Sequence, residues 1–253
     1  MKAGAPPASD TIPAGLLESL RQAGRIVFLT GSGVSAESGV PTFRDEMTGL
    51  WARYRPEELA TPEAFSRDPM LVWNWYRERR RHVAAVQPNP AHQAIARLQD
   101  ALPGSLLVTQ NVDGLHQRAG SRDLLEFHGN LFRNRCRDCG HETLHPDPEL
   151  EQPPACPRCG HPMGPGVVWF GEVIPEDALK QAWRASAVAD VFFSIGTSGL
   201  VFPAAQLVEV ARWGGAVIVE VNTAATPLTG SADHVLRGKA GVIMPLLVQQ
   251  IIS

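Results

Sequence analysis

No stretch of the 253-residue sequence approaches the roughly 18 to 20 consecutive apolar residues that a membrane-spanning helix needs, and no such span is expected. An excess of one charge is missing too. The 23 basic residues nearly cancel the 26 acidic ones, so no overall field favours nucleic acid or an anionic membrane surface. The opening MKAGAPPASDTIPAG lacks the apolar middle of a secretory signal, which predicts a short loose leader over 1–13 and a cytoplasmic location. Repeats at solenoid periods are absent. Cysteine is scarce, at four residues. What remains, 44% apolar and 19% charged, suits one globular domain, or one domain with a small satellite, around a sizeable core.

Along the chain, apolar runs stopped by turn residues alternate with helical patterns. RIVFLTG, SLLVTQN, DLLEFHG, VFFSIGTSG and AVIVEVN read as strands, the first as one buried on both faces. Pro13 opens a helix bearing Leu16, Leu17 and Leu20, and further helices are expected in NPAHQAIARLQDAL, PEDALKQAWRASAVAD, FPAAQLVEVARWG and GVIMPLLVQQII. This alternation predicts an α/β fold with a parallel sheet over 14–44, 87–130 and 166–253. Two excursions interrupt it: a helical stretch over 45–86 and a Cys/His/Pro-rich stretch over 131–165.

The second excursion holds all the cysteines. Cys136 and Cys139 form one CxxC, Cys156 and Cys159 another, with sixteen residues between the pairs. That spacing fits a structural zinc ribbon, and four thiolates leave no open position for a catalytic water. Two disulfides are the competing reading, disfavoured in a chain without a secretory signal.

GSGVSAESGVPTFRD follows the first strand directly. Gly31, Gly33 and Ala36 match the GxGxxA form of the dinucleotide fingerprint. The ordinary motif needs a long helix next and an acidic residue about twenty positions on, after a second strand. Here Pro41 stops any helix early, and Leu50 to Arg53 do not read as a strand. Phosphates are still expected on backbone amides of the turn, with GTSG (Gly196 to Gly199) and EVN (Glu220 to Asn222) lining the same carboxyl edge.

With GSGVSAESGVPTFRD, TQNVDGLHQRAG, EFHGN, the paired CxxC knuckles, GVVWFGE, GTSG and VEVN in this order, the chain resembles the sirtuins from about Leu16 to its C-terminus. The resemblance implies an NAD-dependent protein lysine deacylase that releases nicotinamide and O-acyl-ADP-ribose. It also implies an inverted Rossmann-like domain, a helical lobe and a ribbon with one structural zinc per chain. It gives His128 as general base and Asn111 and Asp113 as the holders of the nicotinamide amide. Gln110 becomes a ribose contact, Phe43 a shield over the reactive face and Arg44 a support of the cofactor loop. The NAD set is completed by Gly31, Ser32, Gly33, Ser35, Ala36, Glu37, Gly196, Thr197, Ser198, Asn222 and Ala240. Val168, Trp169, Phe170 and Gly171, with Glu172, match a strand that pairs with the substrate backbone. The expected partners are acyl-lysine proteins or peptides, without membrane or nucleic acid, and a monomer is expected. Two other activities on this fold are transfer of ADP-ribose to protein and NAD sensing without turnover; His128, Asn111 and Asp113, all present, argue against the second.

NWYRERRR carries the finer expectation. In the subclass that removes succinyl and malonyl groups the helical lobe bears a Tyr-x-x-Arg pair, supplied here by Tyr76 and Arg79, which lie about 60° apart on a helix. Arg77 and Arg81 are expected to face solvent. Two departures from the family stand out. Glu46 lies where members of that subclass carry alanine, and Gly164 lies where an arginine is common, which predicts a lost salt bridge.

Overall fold

The computed structural model describes residues 11–41, 54–144 and 147–252. Its strands are β1 (Ile26–Thr30), β2 (Ser105–Thr109), β3 (Leu124–Glu126), β4 (Gly129–Cys136), β5 (Glu142–Leu144), β6 (Met163–Val167), β7 (Val191–Ile195), β8 (Val217–Asn222) and β9 (His234–Arg237). The helices are α1 (Ala14–Gln22), α2 (Ser32–Ser35), α3 (Pro56–Leu59), α4 (Pro62–Arg67), α5 (Pro69–Ala85), α6 (Pro90–Ala101), α7 (Leu115–Arg118), α8 (Glu176–Ala187), α9 (Gln206–Trp213) and α10 (Ala240–Ile251).

Six strands form a parallel sheet in the order β3-β2-β1-β7-β8-β9. Successive residues of β1 point to opposite faces, and both faces are covered. Ile26 and Phe28 join a core with Leu16, Leu20, Ile95 and Met244 from α1, α6 and α10. Val27 and Leu29 join a second core with Ala182, Leu207 and Ala211 from α8 and α9. With apolar neighbours above and below, Ile26 to Leu29 run without alternation, and the polar Thr30 is buried only at the carboxyl end, where its hydroxyl donates to Thr109 Oγ1.

The helical excursion is built by three polar-Pro starts. Thr61 Oγ1 accepts from Ala64 N–H (3.1 Å), Asp68 Oδ1 from Leu71 N–H (2.9 Å) and Asn89 Oδ1 from Ala91 N–H (2.9 Å), each followed by proline at the first helical position. Two of these caps open α4 and α5; the third opens α6 and returns the chain to the sheet. The ribbon is a small antiparallel sheet, β5-β4-β6. Lobe and ribbon share one core, in which Phe65, Trp75 and Tyr76 meet Leu131, Val167 and Trp169.

Four expectations are corrected. Strand β3 ends at Glu126, so His128 lies in the turn before β4 rather than at a strand end. Residues Val168 to Gly171 follow β6 as irregular backbone and turn, because Trp169 turns into the lobe core. Helix α9 starts at Gln206, later than FPAAQ suggests. Strand β9 is an unforeseen edge strand, short and preceded by the polar turn TGSAD.

Candidate functional site

Strands β1, β2, β7 and β8 end side by side, and their following turns meet there. Gly31 N–H donates to Ile195 O (3.1 Å) and Gly33 N–H to Gly196 O (2.8 Å). A Cβ on Gly33 would stand 2.7 Å from Gly196 O, so glycine is required for this backbone contact. The N–H groups of Gly31 and Gly33 are thus engaged with β7 and its turn. Ala36 and Glu37 sit in an exposed 3-10 turn ended by Gly39. Glu37 Oε1 accepts from Gly241 N–H (2.9 Å) beside the buried Ala240, a carboxylate on the positive end of α10.

Gln110 joins three strand ends. Its Nε2 donates to Thr197 Oγ1 (3.1 Å), and Asn222 Nδ2 donates to Thr197 O (2.9 Å). Its own carbonyl oxygen receives His128 Nδ1 at 3.1 Å. A carbonyl only accepts, so Nδ1 carries the proton and Nε2 keeps its lone pair. Burial pushes the imidazole pKa below its ordinary value, against the opposing pull of this hydrogen bond. The ring is thus held neutral and basic at one defined nitrogen. Ser32 and Ser198 stand half-exposed on the turns around this edge.

Behind His128 lies a buried cluster. Asn111 Nδ2 donates to Gly31 O (3.1 Å) and to Ser35 Oγ (3.0 Å), leaving its side-chain carbonyl as the remaining polar handle. Ser35 Oγ donates to Asp113 Oδ2 (2.7 Å), and Asp113 Oδ1 accepts from Leu115 N–H (2.9 Å). Burial raises the Asp113 pKa, opposed by these two hydrogen bonds and by the charges of Arg79 and Arg118. The arrangement presents acceptors, matched to a ligand NH2 group.

Two histidines in this cluster escaped the sequence reading. His92 and His116 pack edge to face at 4.6 Å between centroids, with His92 Nε2 3.4 Å from Ser35 Oγ and His116 Nε2 3.0 Å from Thr30 Oγ1. Their signal was only a polar residue in an otherwise apolar helical pattern. Burial lowers the pKa of His92 to about 4 and that of His116 well below its usual value. Between an unfolded value of about 6.5 and these lower folded values the unfolded chain binds more protons. Stability should therefore fall as pH falls from about 6.5 towards 4, and His92→Gln should flatten that decline in thermal melts. A melting temperature independent of pH across this window would contradict the burial of the pair.

On the other side of the cluster, Tyr76 is buried and its hydroxyl accepts from Trp169 Nε1 (3.0 Å). The Arg79 guanidinium lies 5.0 Å over the Trp75 ring and 5.5 Å over Tyr76. Arg81 is exposed and pairs with Glu149, as expected. Arg77 is corrected: it is only half-exposed, with Nε buried. The neighbouring Arg80, unremarked in the sequence, is fully buried, donates to Leu131 O (2.7 Å) and stacks on Trp73 at 4.4 Å. A run of arginines hides an inward one because composition does not report helical phase. Val168 N–H donates to His128 O (2.8 Å), and Phe170 is half-exposed with its N–H on Ala60 O (2.9 Å). Gly171 forms an exposed turn at φ 84°. Gly164 offers no side chain for an ion pair, and beside it Arg137 pairs with Glu172 at 2.6 Å. Phe43, Arg44 and Glu46 lie outside the described residues.

The four thiols converge. Their sulfurs all lie within 4.8 Å of one another and form no disulfide. Tetrahedral zinc with Zn–S near about 2.3 Å needs sulfurs about 3.8 Å apart, and Cys136–Cys159 (3.4 Å) and Cys139–Cys156 (3.6 Å) are close to that. Gly140 and Gly160 take positive φ (71° and 79°), turning each knuckle around the site. The donor set fits zinc, and no helix among the described residues is long and apolar enough to cross a membrane.

A protein-family model described as the Sir2 family matches residues 31–203. An NAD-dependent protein deacylase of Aquifex aeolicus is 52% identical over 85% of the chain and 90% of its own length. An NAD-dependent protein deacylase 1 of Pseudomonas aeruginosa is 50% identical over 93% of the chain and 97% of its own length. A crystal structure of a Sir2 homologue in complex with NAD superposes with a TM-score of 0.91 at 46% identity, covering 98% of this chain and 97% of that one. A Sir2 variant holding a deacetylated peptide and 3′-O-acetyl ADP-ribose gives 0.83 at 30% identity, covering 93% and 97%.

Proposed function

The chain belongs to the Sir2 family, and on that premise we propose that it is an NAD-dependent protein lysine deacylase whose acyl pocket accepts succinyl- and malonyl-lysine beside acetyl-lysine. NAD supplies the ribose carbon that takes the acyl oxygen as nicotinamide leaves. Asn111 and Asp113 offer acceptors to the carboxamide NH2 of nicotinamide, and Ser35 holds both in place. His128 Nε2 takes a proton from a ribose hydroxyl, its ring fixed by the Gln110 carbonyl. Val168 and Phe170 bring the chain that flanks the acyl-lysine alongside His128 and the helical lobe. The four cysteines hold zinc outside this machinery, where it supplies folding stability alone.

The observation that carries the acidic-acyl reading is the Trp169–Tyr76 hydrogen bond. The indole bond fixes the place of the hydroxyl oxygen, and a phenol that accepts can also donate. Arg79 lies against the same ring, so hydroxyl and guanidinium together can bind a distal carboxylate. Arg79→Met should lower succinyl-peptide turnover about ten- to a hundred-fold, the size of a charged hydrogen bond, and change acetyl turnover far less. An NAD-dependent panel of acetyl-, propionyl-, malonyl- and succinyl-peptides reads this directly. Acetyl turnover alone in the wild type, with Arg79→Met silent on every substrate, would refute it. Glu46→Ala in the same panel shows whether that carboxylate competes for Arg79.

A further inference from the structure

We propose that Arg137, on the first cysteine knuckle of the ribbon, is a positioning residue that sets the substrate loop 168–172 and, through Trp169, the Tyr76 hydroxyl. Its second leg rests on the acidic-acyl reading above; its first does not.

Arg137 lies between two zinc ligands, yet its side chain leaves the knuckle and spans the ribbon. Nη1 donates to both oxygens of Glu172 (2.6 and 2.8 Å), and Nη2 donates to Pro165 O (2.7 Å) and Val167 O (3.1 Å). The guanidinium also stacks 3.7 Å from the centroid of Trp169. Glu172 Oε2 in turn accepts from Trp169 N–H (2.8 Å), so the loop is closed at both ends by one ion pair. The Arg137 and Glu172 side chains are 14% and 18% exposed, well below the exposure at which ion pairs are worth little. From the knuckle the contacts run unbroken: Arg137 on the Trp169 ring, then Trp169 Nε1 to the Tyr76 hydroxyl. A flat fork is required, since an ammonium gives neither the stack nor four parallel donations.

Gly164 lies against the same ring. A Cβ there would stand 3.1 Å from the Trp169 ring, tighter than ordinary contact, and at ordinary contact from Arg137 Nε (3.5 Å) and the Phe65 ring (3.6 Å). A larger residue at 164 would therefore press on the ring that Arg137 stacks against.

The test uses the zinc-loaded enzyme, with metal content and melting temperature measured beside kinetics. Arg137→Lys should keep the zinc but raise KM for acetyl-peptide about ten-fold with kcat little changed, and should lower the succinyl-to-acetyl ratio of kcat/KM by a similar factor. In a Tyr76→Phe background the ratio should not fall further, because the hydroxyl through which Arg137 acts is gone. Gly164→Ala should raise acetyl KM in the same direction, because its Cβ displaces the Trp169 ring that Arg137 holds. If Arg137→Lys fails to fold, Glu172→Gln cuts the same link from the loop side and should give the same KM effect. An unchanged acetyl KM in either folded, zinc-loaded variant overturns the proposal. A wild type without succinyl turnover refutes the acidic-acyl reading alone, and the acetyl KM still decides the role of Arg137.

Discussion

His128→Ala is expected to lower acyl-peptide-dependent nicotinamide release about 100- to 10,000-fold in kcat, the usual cost of losing a general base. The expectation rests on the Nδ1–Gln110 hydrogen bond, which fixes the tautomer and leaves Nε2 as the proton acceptor. Burial pulls the imidazole below its ordinary pKa, so the base form is already dominant at neutral pH. The sign follows: activity should rise with pH through a midpoint below about 6.5 and then stay level. Gln110 also orients Thr197, so the ring is tuned by the turn that contacts the third strand end. The fold should survive, because the His128 ring is only half-buried and belongs to none of the apolar cores. His128→Ala with normal melting temperature, normal zinc and near-normal turnover would remove this residue from the mechanism.

How much of this was legible in the sequence depends on the physics behind each signal. Burial on two faces leaves a nearly continuous apolar run, which is why β1, β2, β7 and β8 were readable. Metal ligation leaves a fixed spacing, so Cys136, Cys139, Cys156 and Cys159 were readable too. Other features depend on packing across long sequence separations. Trp169 looks like a strand residue in GVVWFGE, yet its ring is drawn into the lobe by Phe65 and Tyr76, which bends the chain out of β6. Arg80 is inward, held by the Leu131 carbonyl and the Trp73 ring, and the run of arginines around it hides that phase. The fingerprint glycines also answer a demand that the motif does not announce. Gly31 and Gly33 serve strand-to-turn contact with β7 and Gly196, a demand that leaves the same residue type in the same place as phosphate binding does. Arg137 was invisible for a related reason, since its partners Glu172, Pro165 and Val167 are far from it in sequence and adjacent only in space.

Cys136→Ser should release the metal and unfold the ribbon while the parallel sheet persists. Around the knuckles the apolar cluster is Cys136, Cys156 and Met163, with Cys139 packed against it, while Leu131 and Val167 pack into the lobe core; that is too little to order the knuckles unaided. Apparent binding free energies of structural zinc are on the order of 10 kcal/mol, enough to supply what the core lacks. The two cores on either face of the sheet contain no residue of 129–167, so they do not depend on it, apart from edge contacts. Hydrogen exchange should therefore rise over β4 to β6 and spread to α5, whose inner face is covered by Leu131 and Val167. Amides of β1, β7 and β8 should keep their protection. Chelation of the wild type should give the same map, and turnover should be lost with it, because Trp169 and Glu172 would lose Arg137 as their anchor. Restoring zinc to the chelated wild type should restore both, whereas Cys136→Ser should not respond. A metal-free protein with native protection over 129–167 and native turnover would show that the thiols hold the ribbon without metal.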